Sequence, residues 1–337
     1  MAGLLSASFP LIAAAQDNVK IGFLLKTMQE ARYQTDKSLF IARAESQGAD
    51  VIFDSSGNDP LRQLQQVEEM LDLGVDVLVL QPVNTATAGA LVDLAHDQGV
   101  KVVGYDSMLQ DGPLDVMVMQ DSWAVGQLQA DAMVDWLNDT RGEVKGRVAL
   151  IRGQPGDANA EALSSGVLKV VGEHPGLELV ADRSHVEWSP DMARDTVENL
   201  LVEYDNDIDA FIANNSGLAF GVLAALSDED LASADQVFVA GSDADLRNVQ
   251  MVASDVQALE IWKQIKPLAY AAADVAVKIA HAPEADVSDL ITNYSLIDNG
   301  YAEIPTIITP VFAVSKDTID ATVIEGGFYT IEQVYPD

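Results

Sequence analysis

Polar residues follow five apolar stretches of the sequence, and carboxylates and amides dominate among them. The stretches are VLVLQ, KVVGYDS, VALIRGQPGDAN, FIANNS and VFVAGSD, which lead to Gln81, Asp106, Asp157 with Asn159, Asn215 and Asp243. Short apolar runs bounded in this way predict buried strands. Ligands of parallel sheets bind beyond the carboxyl ends of the strands. Four of these side chains should therefore line one cleft: Asp106, Asp157, Asn215 and Asp243.

Motifs that the sequence lacks limit the chemistry of this cleft. The turn LLKTMQEARY has no glycine for a dinucleotide, and neither a GxxxxGK[ST] loop nor a G-x-S-x-G elbow is present. The sequence has no cysteine, and its four histidines lack ligand spacing, so we expect no metal and no cofactor. Asp106 with Asp243 could still do acid–base work in a carbohydrate-acting enzyme. Otherwise we expect no catalytic residue, because these side chains suit hydrogen bonds to a neutral polyol.

The composition bounds the size and the partners of the protein. A chain of 337 residues suits two domains of ordinary size. With 19 Lys and Arg against 53 Asp and Glu, the net charge of −34 repels phosphate backbones and anionic membranes. We therefore expect no nucleic-acid partner. The acidity itself favours either simple solubility or a salty habitat in which counterions screen the repulsion.

The N-terminal stretch GLLSASFPLIAAAQ is apolar and ends in small residues, as export signals do. It is too short to span a bilayer. We interpret residues 1–15 as the remnant of an export signal, with the mature chain beginning near Gln16, although no basic segment precedes the run. A buried strand is the alternative. The first interpretation predicts a protein that acts outside the cytoplasm.

The periodicity of apolar residues predicts strands that alternate with helices, and the pattern restarts after Gly142. Asp59 and Pro60, for example, predict the start of a helix. Its apolar stripe would contain Leu61, Leu64, Val67 and Leu71. Such alternation is typical of parallel, doubly wound sheets. The predicted fold class is therefore α/β, with two similar doubly wound lobes that face each other across the cleft.

Nine stretches together resemble a known family over nearly the whole chain from Val19 onward. They are KIGFLLKTMQEARYQTD, AESQGADV, GVDVLVLQPVN, GVKVVGYDSML, QPGDANA, ANNSG, AGSDADL, DNGYAEIPTIITPVF and TVIEGGF. The family is that of type 1 periplasmic binding proteins of sugar ABC transporters, and the xylose-binding members are the most similar. The resemblance implies two Rossmann-like lobes joined by a three-strand hinge. Their expected bounds are 17–119 plus 262–292 for the N-terminal lobe and 120–261 plus 293–337 for the C-terminal lobe.

The resemblance also implies a function. A periplasmic monomer would capture xylose or a related aldose between closing lobes and deliver it to an ABC permease. Alternatively, it would present the closed form to a chemoreceptor or histidine kinase as a sugar sensor.

The resemblance implies ten ligand-binding positions in this sequence, nine of which match the family motifs and one of which, Ser107, departs from them. The ten positions are Arg32, Tyr33, Asp106, Ser107, Asp157, Asn159, Trp188, Asn215, Asp243 and Lys263. Simpler roles remain open for several of them: the aspartates could cap helices, Arg32 could be solvated, and Tyr33 and Trp188 could be core residues.

The sequence departs from the family pattern at several site positions. Ser107 stands where the family has arginine, Gln264 where it has proline, and the segment before Arg32 is changed at Lys26, Gln29 and Glu30. The volume left by an arginine at 107 could be filled by water or by another side chain, such as Lys26 or Gln29, which would leave a pentose site. Alternatively, it could admit a hexose. We favour the hexose or a substituted aldose, because losing a charged donor costs ~1.5–3 kcal/mol unless ligand atoms replace it.

Overall fold

The structure is a computed structural model that describes residues 18–30 and 32–336. The export signal predicted for residues 1–15 and the mature start near residue 16 lie outside the described residues. Within the described chain, no helix combines the length and the apolar character that crossing a bilayer requires.

Strands and helices alternate along the described chain. The strands are β1 (Val19–Leu25), β2 (Ala49–Ser55), β3 (Val77–Leu80), β4 (Lys101–Tyr105), β5 (Val116–Gln120), β6 (Gly146–Arg152), β7 (Leu177–Ser184), β8 (Ala210–Ala213), β9 (Phe238–Ser242), β10 (Leu259–Lys263), β11 (Ser295–Asp298), β12 (Glu303–Thr309) and β13 (Val311–Val314). The helices are α1 (Arg32–Glu45), α2 (Pro60–Asp72), α3 (Gly89–His96), α4 (Ser122–Arg141), α5 (Ala158–Glu173), α6 (Pro190–Glu203), α7 (Ser216–Asp228), α8 (Leu246–Ala253), α9 (Ile265–His281), α10 (Val287–Leu290) and α11 (Ile331–Val334).

The strands form two sheets, one in each lobe. The first has the order β11-β12-β5-β4-β3-β1-β2 and the second the order β13-β10-β9-β8-β6-β7. All neighbours in each sheet are parallel except β11 with β12 and β13 with β10. This arrangement confirms the predicted α/β fold of two doubly wound lobes, each with one antiparallel strand at an edge.

The lobe bounds predicted from the sequence are wrong in three places. Gln120, assigned to the C-terminal lobe, is the last residue of β5 in the first sheet. Residues 295–309 belong to the first sheet, because β12 continues it in parallel register with β5, pairing Thr306 with Met117. The prediction had assigned them to the C-terminal lobe. Residues 262 and 263 lie in β10 of the second sheet, whereas α9 packs against the core of the first. The chain therefore crosses between the sheets three times, after Gln120, Lys263 and Thr309.

Helix α2 illustrates which local predictions hold. Asp59 caps it by accepting hydrogen bonds from the backbone N–H groups of Leu61 and Arg62, at 2.9 and 3.1 Å, and Pro60 is its first residue. The apolar stripe is only partly correct. Val67 and Leu71 are buried, but Leu61 is 73% exposed. The buried face contains Gln63 instead, whose Nε2 donates to the carbonyl oxygen of Gln81 at 3.0 Å.

Candidate ligand-binding site

A small cavity lies where the carboxyl ends of the strands of both sheets meet. Its volume is about 20 Å³, which is room for about one water molecule. The residues that line it are Lys26, Glu30, Arg32, Tyr33, Asp106, Asn159, Trp188, Asn215, Asp243 and Lys263. Of the ten predicted site residues, Ser107 and Asp157 do not line it but lie directly behind it. Lys26 was expected only as one possible filler of the volume beside position 107, and Glu30 only as a departure from the family pattern, yet both line the cavity.

Arg32 is the central cation of the cavity. As the first residue of α1, it extends its guanidinium to three carboxylates: Asp36 Oδ2 at 3.4 Å, Asp106 Oδ1 at 3.2 Å and Asp243 Oδ1 at 3.3 Å. Burial opposes its charge, but the three carboxylates outweigh burial and raise the pKa of Arg32. Asp36 is itself held by the hydroxyl of Tyr105. Because Asp243 belongs to the second lobe, Arg32 joins the two lobes and is not a solvated residue.

Asp106 follows β4 in a left-handed conformation, with φ of 63°, which turns its carboxylate into the cavity. Gln81 Nε2 donates to its Oδ2 at 2.9 Å and to the Tyr33 hydroxyl oxygen at 3.0 Å. Burial would raise the pKa of Asp106, but Arg32, Lys263 and other cations hold it below its ordinary value. Asp106 is therefore an ionised acceptor at neutral pH, and no helix follows it to be capped.

A second ion pair connects the lobes at Lys26. Its Nζ lies 2.8 Å from Asp157 Oδ2, and the two side chains are 6% and 3% exposed. Burial alone would lower the pKa of Lys26, but Asp157 and Glu30 raise it above the ordinary value. Burial also raises the pKa of Glu30 to about 7, and Lys26 counteracts this in part. Asp157 also caps α5, since its Oδ1 accepts from the backbone N–H of Asn159 at 2.8 Å.

Ser107 contacts the cavity only through Asn159. Asn159 Nδ2 donates to Ser107 Oγ at 3.0 Å, and Asn159 Oδ1 accepts from Ser122 Oγ at 3.0 Å. Ser107 is fully buried. Ser107 therefore lies behind Asn159, whereas Lys26 reaches into the cavity from the first lobe.

In the second lobe, Asp243 is positioned by a buried network. Its φ of 106° turns the carboxylate toward Lys263, whose Nζ lies 2.6 Å from Oδ1. Below the turn, Glu260 accepts from the backbone N–H of Ala244 at 3.1 Å and from Ser216 Oγ at 2.8 Å. Burial raises the pKa of Glu260 to about 8. Asp243 caps no helix, whereas Asn215 caps α7 and also lines the cavity.

Two aromatic side chains line the cavity from opposite lobes. Tyr33 is fully buried in the first lobe, and Trp188 is half-buried in the second. Trp188 lies in a left-handed turn, with φ of 55°, and a side chain at Gly153 would overlap its indole ring. The absence of a side chain at Gly153 therefore leaves space for the indole ring. Tyr33 and Trp188 each pack against their own lobe and also line the cavity.

The chain is similar to known proteins in both sequence and fold. The model of the periplasmic binding protein domain matches residues 21–284. The D-xylose-binding periplasmic protein of Escherichia coli is 34% identical over 324 residues, covering 94% of this chain and 93% of that protein. The multiple sugar-binding periplasmic receptor ChvE of Rhizobium radiobacter is 29% identical, covering 97% and 96%. The fold matches an ABC transporter solute-binding protein of Clostridium phytofermentans with bound β-D-glucose, with a TM-score of 0.82, 22% identity and coverage of 94% and 100%.

Proposed function

The chain belongs to the periplasmic binding protein family, and from this premise we propose that it captures a monosaccharide between its lobes and delivers it to an ABC permease. The observation that carries the proposal is the interlobe cavity, where carboxylates, amides and two aromatic rings converge. The proposed ligand is xylose or a related aldose. Its sugar-binding relatives support this choice, since two of them are named for D-xylose.

The chemistry of the lining residues suits a neutral sugar. Asp106 and Asp243 would accept hydrogen bonds from sugar hydroxyls, and Arg32 and Lys263 would donate to them. Hydrogen bonds with one charged partner are roughly twice as strong as neutral ones. Asn159 and Asn215 supply both donors and acceptors. Tyr33 and Trp188 would cover the apolar faces of the ring, one from each lobe.

Lobe closure is part of the proposed mechanism. A pentose has about ten heavy atoms, and micromolar binding corresponds to about −8 kcal/mol, or roughly −0.8 kcal/mol per atom. Such efficiency requires nearly complete burial of the sugar. The cavity of about 20 Å³ admits no pentose, so the lobes must separate before binding and close again around the ligand. The ion pairs of Lys26 and Arg32 with the second lobe would break during opening.

We assign the ligand-binding role to the ten predicted residues together with Lys26 and Glu30. Ser107 and Asp157 would act through their contacts with Asn159 and Lys26. We also propose that Ser107 permits a hexose or substituted aldose. Ser107→Arg should then shift the preference toward xylose, which titration of D-glucose and D-xylose into both proteins measures. Strong preference of the wild type for xylose, with an unchanged ratio in the variant, would contradict this assignment.

The wider role follows from the same proposal. The protein would act as a monomer in the periplasm, with the closed face of both lobes docking on the permease. It would return the sugar chemically unchanged, as a member of a family of binding proteins would.

Titration calorimetry followed by product analysis tests the function. D-Xylose, D-glucose and L-arabinose are titrated separately, and we expect one of them to bind at one molecule per chain. Asp243→Asn should weaken that sugar at least tenfold. Asp274→Asn is the matched control, since Asp274 forms an ion pair with Arg43 within one lobe, far from the cavity lining. Failure of all three sugars to bind, or a chemically altered sugar after long incubation, would refute the proposal.

A further inference from the structure

A groove of about 570 Å³ opens beside the cavity, next to the second crossing between the lobes. Helix α1, residues 264–267 and residues 326–329 form its walls. Its volume falls within the range of about 300–1,000 Å³ that is usual for small-molecule sites. The groove shares Arg32 and Asp243 with the cavity, so the same ion pair separates the two spaces.

A third space adjoins both the groove and the cavity. This opening of about 300 Å³ lies at the mouth of the interlobe cleft and shares Glu30, Trp188 and Asn215 with the cavity. It shares Asp245 with the groove. Arg32 and Asp243 line all three spaces, so a ligand that extends from the cavity through the mouth into the groove follows this ion pair and passes Asp245.

The groove has the side chains that bind a sugar ring. Trp262 and Phe328 are stacked with ring centroids 5.4 Å apart, and Tyr329 lies 4.3 Å from Phe328. Asp245 is half-buried and has no ion pair or side-chain hydrogen bond within the described residues. Burial raises its pKa to about 6, so it is still largely ionised at neutral pH. Trp262 is buried behind the other two rings, so Phe328 and Tyr329 offer stacking, and the nearby carboxylate of Asp245 offers an acceptor for hydroxyl groups.

We propose that this groove is a second saccharide subsite, which takes a sugar ring glycosidically linked to the monosaccharide held in the cavity, with Asp245 at the junction. The inference rests on the proposed function, since it extends the same ligand. A cationic occupant fits less well, because Lys266 and Arg32 also line the groove. A neutral ring can use the acceptor, the donors and the aromatic faces together.

Paired titrations test the second subsite. D-Xylose is compared with xylobiose, and D-glucose with cellobiose and maltose. We expect at least one disaccharide to bind with a Kd no weaker than that of its monosaccharide. Asp245→Asn and Phe328→Leu should each weaken the disaccharide about tenfold and leave the monosaccharide within about twofold. Asp255→Asn is the matched control, since Asp255 lies in the same lobe, exposed, in an ion pair with Lys316.

The outcomes separate this inference from the proposed function. Binding of a monosaccharide without any disaccharide overturns the second subsite and leaves the proposed function standing. Equal weakening of mono- and disaccharide in both variants also overturns it, because Asp245 and Phe328 would then act on the cavity. Binding of no sugar at all overturns both.

Discussion

Replacing Asp157 with asparagine removes a charge that joins the two lobes while keeping the shape of the side chain. Asparagine is also an effective N-cap, so the start of α5 should be preserved. The change leaves Lys26 without the carboxylate that lies 2.8 Å from its Nζ. In the closed form this ammonium is buried, whereas opening of the lobes would expose it to water.

The size of the effect follows from this burial. Removing one partner of a buried ion pair costs about 3–5 kcal/mol, because the remaining charge is uncompensated. Glu30 and Asp106 still act on the Lys26 charge, so the lower value applies. About 3 kcal/mol corresponds to roughly a hundredfold change in an equilibrium constant. This penalty destabilises the closed form rather than the fold, because water solvates the Lys26 ammonium when the lobes separate.

Titration calorimetry with the sugar that binds the wild type measures the effect. We expect Asp157→Asn to weaken binding by roughly a hundredfold, with a melting temperature close to that of the wild type without sugar. Solution scattering at a sugar concentration that saturates the wild type should give the variant a larger radius of gyration. Asp182→Asn is the matched control, because Asp182 pairs with Arg152 within the second lobe.

The double variant Lys26→Met with Asp157→Asn tests whether the uncompensated charge of Lys26 causes the loss of sugar affinity. If the uncompensated charge opposes closure, removing Lys26 as well should restore part of the lost affinity, apart from any contact that Lys26 makes with the sugar. A Kd of Asp157→Asn within threefold of the wild type, with an unchanged radius of gyration, would refute the reasoning. So would a melting temperature that falls as steeply as the affinity.

Three further predictions concern the tryptophan fluorescence and the dependence of the melting temperature on pH and on salt. Sugar binding should change the tryptophan fluorescence; Trp188→Phe should abolish most of the change and Gly153→Ala should reduce it, whereas an intact signal in Trp188→Phe would show that Trp188 does not contact the ligand. The pKa of Glu260 is raised to about 8, so its stabilising effect is complete below about pH 4.5 and is lost as the pH rises through about 8. The melting temperature should fall over this range, and Glu260→Gln should flatten the fall; an equal slope in the variant would assign the fall to other groups. At a net charge of −34, the melting temperature should rise between ~0.05 M and ~2 M NaCl and also in a salt of weak Hofmeister activity, because screening reduces self-repulsion; a flat curve would contradict a role of screening.

The sequence predicted the fold class because strands and helices have local periodicities. It also predicted that polar residues at strand ends would meet, since the carboxyl ends of parallel strands share one edge. Asp106, Asn215 and Asp243 line one cavity in the structure, as that argument requires. The resemblance to a family added Arg32, at the start of α1, and Lys263, at the end of β10, neither of which follows one of the five apolar stretches.

Other features could not be read from local patterns. The sheet to which β11 and β12 belong depends on pairing with β5, almost two hundred residues earlier, and the apolar alternation of a strand does not name its partner. The place of Lys26 depends on the reach of a long side chain toward Asp157 in the other lobe. Ser107 follows Asp106 directly, yet the left-handed turn at Asp106 directs the serine to Asn159 and away from the cavity.

The side chains that form ion pairs between the lobes differ in how many charged partners they keep within their own lobe. Arg32 is held within the first lobe by Asp36 and Asp106, so it keeps two carboxylate partners when its contact with Asp243 is lost. Asp243 likewise keeps Lys263, which lies in the second sheet. We therefore expect both half-sites to stay organised in the open form, which lowers the ordering cost of binding.

Lys26 has no such second ion pair within the described residues. Its bonded carboxylate, Asp157, belongs to the second lobe, and Glu30 is the nearby acid of its own lobe, with a pKa raised to about 7. A proton on Glu30 would remove that local support. Closure should thus depend on the Lys26–Asp157 pair more than on Arg32, which is why Asp157→Asn is expected to separate binding from folding more sharply than a change at Asp243.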